Sequence, residues 1–402
     1  MKKDHGDDRS QDRTGAVRRR EVLKASAAVL GSTLAPAGLA RAGEVDPAPA
    51  PRAADVAGAS FPPLFEKTTW DRRGSWQASW VGCAEAGPPP VVTAYRLRFD
   101  WPAKGAVRLR VSADERYELF LDGRRIARGP ERGTVEHWFY DTVEVALDAG
   151  AHVLVARVFS LGPFAPLAQF QVRPGFLLAA EGPEAGRLDT GVAPWDARPL
   201  PGYSVEPPVY GWGLAAPVTV SGEVFPWAFE QGAGEGWREA VRQEQAASAL
   251  LAYGIAPSRY LQAGTLPPMI DRPWTRGRVR HLAEVPSLDT LAVPVRAADH
   301  AAAEAALWQR MLAGSDPVDI PPRTRLRVIV DLEDYVCGYP ELVASFGKGS
   351  LVRLQLAEAL REQPDQWKFA KGNRDVIFGK FFFGMGDRFR PDGGERRHFE
   401  SL

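Results

Sequence analysis

Cysteine is nearly absent from this sequence: Cys83 and Cys337 are its two thiols in 402 residues. A disulfide-stapled fold is therefore excluded. Two thiols so far apart are expected to stay free, although an oxidising compartment permits a bridge. An excess of either charge is also missing, since Lys and Arg together number 50 and Asp and Glu together 50. No basic surplus is left to attract nucleic acid or acidic lipid. The six histidines (His5, His137, His152, His281, His300, His398) show no metal-ligand spacing such as H-E-x-x-H. No G-x-S-x-G elbow for a serine nucleophile occurs. Residues 211–216 fit G-x-G-x-x-A, but Pro207 and Pro208 stand where a dinucleotide-binding strand should run. Gly347-Lys348-Gly349-Ser350 lacks the earlier glycine of a phosphate loop. No catalytic residue, metal ligand or cofactor is assigned on these patterns.

What is abundant points to β-structure. The 34 prolines and 39 glycines call for many turns. The 12 tryptophans admit two uses: a flat apolar face that stacks on sugars, or bulk for a sandwich core.

The chain opens with a polar, charged stretch, followed by Arg19-Arg20-Glu21-Val22-Leu23-Lys24, which is similar to the twin-arginine export pattern R-R-x-F-L-K. A mildly apolar, Ala-rich run over 25–40 follows and ends in Ala40-Arg41-Ala42, the small-x-small form a signal peptidase cleaves. This run is too short and too weakly hydrophobic for a membrane span. Arg19, Arg20, Ala40 and Ala42 are thus the expected signal residues, with the twin-arginine machinery as partner and a periplasmic or secreted destination. Cleavage there leaves 41 basic against 45 acidic residues.

Residues 43–60 read as an Ala/Pro-rich linker. Beyond them, Val107, Leu109 and Val111 alternate with Arg108 and Arg110, the pattern of a half-buried strand. Tyr117, Leu119 and Leu121 run into Asp122-Gly123, a hairpin signal because glycine accepts positive φ cheaply. Val143, Val145 and Leu147 alternate again, and Asp148-Ala149-Gly150 turns the chain back. Helix is predicted over 237–253 and again over 297–311, where Ala and Leu dominate. Leu326, Val328 and Val330 predict a strand, and so do Val352, Leu354 and Leu356, with helix as the alternative for the latter. The expected fold is mainly β: tandem antiparallel, jelly-roll-like β-sandwich modules with a few helices, the last module incomplete. The expected organisation is a signal peptide over 1–42, the linker over 43–60, a sandwich over 61–280, a helical connection over 281–320 and a second, truncated sandwich over 321–402.

The run from Leu109 through Ala113-Asp114-Glu115-Arg116-Tyr117-Glu118-Leu119-Phe120-Leu121-Asp122-Gly123 to Gly129-Pro130 resembles the N-terminal β-sandwich of bacterial α-L-rhamnosidases. Trp76-Gln77-Ala78-Ser79-Trp80-Val81 is similar to the opening of the same module. Later blocks resemble the sandwich that precedes the rhamnosidase barrel: Asp331-Leu332-Glu333-Asp334-Tyr335, Lys371-Gly372-Asn373-Arg374-Asp375, Phe383-Gly384-Met385-Gly386-Asp387 and Asp392-Gly393-Gly394. The resemblance implies release of terminal α-L-rhamnose with inversion, by a carboxylic acid and a carboxylate on an (α/α)6 barrel. Inversion sets those groups roughly 6.5–9.5 Å apart, leaving room for a water. In relatives the barrel follows the segment that here reaches Leu402, so this chain is expected to be the non-catalytic N-terminal part. It is expected to be inactive alone and completed by a separately encoded barrel chain or a longer gene. The alternative is a self-sufficient exported carbohydrate-binding or scaffold protein.

For sugar contact the best cluster is His137, Trp138 and Tyr140, with Phe139 between them and the Gly129–Gly133 loop beside them. Core packing of alternate members is the competing reading. Asp331, Glu333 and Asp334 form a tight acidic group that reads as a strand edge, and Asp392-Gly393-Gly394 reads as a turn, since neither meets calcium-loop spacing.

Overall fold

The computed structural model describes residues 74–208, 216–251, 254–267, 269–274, 276–365 and 367–402. The expected signal peptide with Arg19, Arg20, Ala40 and Ala42, the 43–60 linker and most of the G-x-G-x-x-A match lie outside them. The described residues all fall within the compact unit Ala59–Leu402.

Nine strands come first: β1 Ser75–Gly82, β2 Val91–Trp101, β3 Gly105–Asp114, β4 Arg116–Leu121, β5 Arg124–Gly129, β6 Trp138–Leu147, β7 Gly150–Ser160, β8 Gly175–Ala180 and β9 Asp196–Pro199. Six more are β10 Tyr203–Val205, β11 Val218–Ser221, β12 Arg238–Glu239, β13 Val241–Ala247, β14 Leu261–Ala263 and β15 Arg278–Glu284. Helix α1, Ala302–Leu312, is the α-helix among the described residues. The last strands are β16 Leu326–Asp331, β17 Glu341–Ala344, β18 Val352–Leu356, β19 Met385–Arg390 and β20 Arg397–Glu400.

Two six-stranded sheets, ordered β13-β1-β8-β3-β6-β14 and β12-β9-β2-β7-β4-β5, form a sandwich. Leu97, Leu109, Val111, Tyr117, Leu119, Phe176, Leu178 and Trp195 fill the space between them. Each sheet also has a covered outer face. Trp76, Trp80, Trp138 and Leu177 pack on one, and Val92, Val155, Phe229 and Trp237 on the other. Strands buried on both faces lose strict alternation, and Val92, Thr93, Ala94 and Tyr95 are buried in succession. The Asp122-Gly123 hairpin forms as predicted, with φ of 50° and 81° at the two turn residues. Tryptophan serves mainly as core filler here: Trp76, Trp80 and Trp195 are at most 2% exposed.

The later region is assembled from thinner sheets. One is ordered β10-β11-β19-β18, and its β11–β19 pairing is parallel, so strands before and after residue 280 share it. β15 pairs with β16, and β17 with β20. Phe389 and Phe399 stack 5.3 Å apart beneath the first of these sheets. The predicted strands over 326–330 and 352–356 are both present.

The helix expected over 237–253 is corrected to strands β12 and β13, with residues 252 and 253 outside the described ones. Its residues favour a helix by only tenths of a kcal/mol each, about what one edge pairing recovers. β13 lies along β1 from Ser75↔Ala247 to Gly82↔Val241, buries Ala246 and Ala247, and sends the Gln243 and Gln245 amides to the Pro174 and Trp76 carbonyls. The helix predicted over 297–311 is present from Ala302, preceded by a 3-10 turn at Ala297–Asp299.

Candidate carbohydrate site and the buried charges around it

The chain leaves one sheet of the sandwich at Asp114 and enters the other at Arg116. Charged residues at such a crossover must bring their partners inside with them. Asp114 Oδ2 accepts the Val172 and Arg173 N–H groups, each at 2.8 Å, and faces the Arg259 guanidinium at 3.7 Å. Burial raises its pKa to about 6 against the pull of Arg259. Glu115 accepts the Gly162 N–H at 2.7 Å, and burial pushes its carboxyl to about 7. Tyr117 donates its hydroxyl to Asp141 Oδ2 at 2.7 Å, which joins β4 to β6 across the sandwich. Burial raises both groups. A side chain at position 129 would meet Asp141 Oδ2 at 1.8 Å, so this close approach demands Gly129.

His137 and Thr134 exchange backbone hydrogen bonds in a tight turn before β6. His137 is exposed, Trp138 is 4% exposed and Tyr140 is half-buried. Trp138 meets Trp80 edge to face at 6.3 Å, and Tyr140 meets Trp76 the same way at 5.0 Å. The Arg259 guanidinium lies 3.9 Å from the Trp80 ring centre and 5.5 Å from that of Trp138. β14 covers this cluster by pairing parallel to β6, Leu261 against Trp138. The structure thus brings Trp138 and Tyr140 together on one face as packing residues and leaves His137 outside. Neither indole face of Trp138 is open for a sugar.

Beside the turn lies a shallow hollow of about 10 Å³, room for a single water, lined by Glu115, Pro130, Glu131, Gly133, Trp138, Phe139, Gln169 and Phe170. Phe170 is nearly half exposed at its rim. Trp138 Nε1 and Gln169 Oε1 have no hydrogen-bond partner among the described residues. Both atoms are buried, so they present no donor or acceptor to a ligand at the surface. Glu131 on the rim is not available to one either, because it holds Thr265 and Leu266.

Sequence reasoning missed a second charged cluster. Glu118 pairs with Arg157 and with Arg128, the latter at 3.1 Å, while Arg125 and Arg128 also pair with Glu400 on β20. Arg157 donates to Tyr203 at 2.9 Å, and Arg128 lies 3.6 Å over the Tyr339 ring. Three guanidinium groups and two carboxylates therefore clasp the sandwich to the last strand. The clustering of Arg124, Arg125 and Arg128 on one strand was its only local sign.

The acidic groups set aside in the sequence have structural partners. Asp331 binds Arg280 at 2.7 Å and the Glu333 N–H, both of which lower its pKa. Asp392 accepts from Arg397, Trp227 and the Gly394 N–H. Cys83 is half-buried, Cys337 is exposed, and both thiols are free.

No family model matches this sequence. No curated protein matches it either. Among solved structures, it is similar to an α-L-rhamnosidase from Aspergillus terreus, with 11% identity and a TM-score of 0.46 over 81% of this chain and 32% of that one. A GH78 family rhamnosidase of Bacillus sp. GL1 gives 20% identity and a TM-score of 0.41 over 52% and 22%. A Streptomyces avermitilis α-L-rhamnosidase complexed with L-rhamnose gives 17% and 0.40 over 77% and 26%. The chain therefore spans between a fifth and a third of the length of these structures.

Proposed function

We propose that this chain is the leading, non-catalytic part of an exported α-L-rhamnosidase-type glycoside hydrolase, inactive by itself. The observation that carries this reading is what the family-like residues do: they are the joints of the sandwich. Asp114 ties β3 to residues 172–173, Tyr117 ties β4 to β6, Asp122-Gly123 turns one hairpin and Gly129 admits the Asp141 carboxylate. A module whose signature side chains are committed to architecture supports carriage and orientation of a catalytic unit. In this reading the acid and base, roughly 6.5–9.5 Å apart, come from a helical barrel outside these 402 residues. Sugar contact is made at the turn by the exposed His137, beside the hollow lined by Phe139 and Phe170, with Trp138 and Tyr140 packed behind it.

Purified chain is expected to release no rhamnose from an aryl α-L-rhamnoside. Fusion or co-expression with a rhamnosidase barrel segment is expected to create that activity. Release by the chain alone overturns the non-catalytic assignment. A silent fusion, together with glycan binding by the isolated chain, favours the carbohydrate-binding or scaffold alternative.

A further inference from the structure

His152, the third residue of β7, faces two turns of the sandwich at once. Its Nδ1 lies 2.7 Å from Asp122 Oδ2 in the hairpin between β4 and β5. Its Nε2 lies 2.9 Å from the Asp148 carbonyl in the turn between β6 and β7. A carboxylate oxygen and a carbonyl oxygen only accept, so each ring nitrogen has to donate. A neutral imidazole has one N–H and satisfies one of these contacts, not both. The geometry therefore calls for the doubly protonated, charged ring.

The groups around the ring suit that charge. The His152 side chain is 13% exposed, and its ring lies against Phe99 of β2 with centroids 5.7 Å apart. Lys104, from the turn between β2 and β3, is taken up by the Asp148 carboxylate at 2.9 Å. The Asp122 carboxylate outweighs burial and holds the imidazolium above the ordinary histidine range, with the Asp148 carbonyl and carboxylate adding to it. Asp122 is itself fixed in place. Its N–H donates to the Val153 carbonyl at 2.9 Å, and its Oδ1 accepts the Val153 N–H at 2.8 Å.

We propose that His152 is a charged pin between the Asp122 and Asp148 turns, closed while both ring nitrogens carry protons and open on the Asp148 side once one proton is lost. The departing proton comes from Nε2, because a charge-assisted bond to a carboxylate outlasts one to a carbonyl. Two lone pairs then face each other across the Asp148 contact, and that bond is lost. The strands stay paired through the β4–β7 and β2–β7 ladders, so the opening is confined to the turns. Because the folded chain holds this proton more tightly than the unfolded one, the pin contributes fully below about pH 6.5. Its contribution is lost as the pH rises through the folded-state value. This inference is independent of the rhamnosidase reading.

The test is nitrogen NMR of the His152 ring in the full chain, titrated from about pH 5 to about pH 9. The ring is expected to remain mostly charged at about pH 6.5, where an ordinary histidine is half neutral. The neutral form that replaces it at higher pH is expected to be the Nδ1–H tautomer. Asp122→Asn sharpens the reading. Asparagine accepts the left-handed φ of 50° at position 122 and keeps an oxygen for the Val153 N–H. Its amide NH2 then faces Nδ1, so the variant is expected to titrate at lower pH and to hold the Nε2–H tautomer, bonded to the Asp148 carbonyl. A natural chain that is half neutral by about pH 6.5, or whose neutral ring is Nε2–H, overturns the pin. So does an Asp122→Asn chain with unchanged midpoint and tautomer. If the variant fails to fold, the midpoint and tautomer of the natural chain decide by themselves.

Discussion

The sandwich and the region that follows it differ in the buried groups that burial shifts toward neutral pH. In the sandwich Arg157 and Arg259 are buried against carboxylates, and the groups so shifted are acids. Asp114, Glu115 and Asp189 are at most 2% exposed, and burial raises them to about 6, 7 and 7. In the later region the fully buried titrating group is the base His281, pushed down by burial. Asp387, at the seam where Val218 bonds to it, follows the sandwich pattern. The difference teaches that one drop in pH acts on the two regions with opposite sign. A carboxyl raised in the folded state binds a proton that the unfolded chain lacks between its ordinary pKa and the raised one. Sandwich stability therefore falls as pH rises from about 4 to about 7. A depressed imidazole is neutral when folded and charged when unfolded, so its contribution is lost as pH falls below about 6.5.

The sharpest way to break this comparison is to cut the charged clasp. Glu118→Ala leaves Arg128 and Arg157 buried with one carboxylate fewer, and is expected to cost about 3–5 kcal/mol in denaturant unfolding. If the clasp couples the regions, the single transition should also split in two. Trp138→Ala comes next, at about 3–5 kcal/mol, because it empties a packed site rather than a sugar platform. Unaltered stability there would return Trp138 to the role of an exposed ligand contact. Asp189→Asn should remove one acid from the sandwich and flatten the rise in stability on acidification by about 1–2 kcal/mol between pH 7 and 5, read from urea midpoints. His137→Ala, at an exposed position, is expected to change stability by less than about 0.5 kcal/mol.

The alternation of Val107, Leu109 and Val111, the Asp122-Gly123 turn and the strands at 326–330 and 352–356 were legible because the signal lies in neighbouring residues. The segment now forming β13 was not, since its local preference is helical and the edge of β1 decides. Trp138 carried two readings in the sequence, and what resolves them is Leu261 of β14, a residue far along the chain. Arg259 and Glu400 gave no local sign at all. Their meaning comes from partners brought near by folding, Asp114 and Glu244 for the one and Arg125 and Arg128 for the other.

The parallel pairing of β11 with β19 has a consequence for synthesis. The ribosome delivers Val218 long before its partner Asp387, which comes 169 residues later. Until then β10 and β11 form a lone hairpin, and two strands alone are marginal in water. The sandwich can condense while the polypeptide is still growing, but this sheet must wait until Asp387 has been made. Its assembly is therefore expected to be the slow stage of maturation.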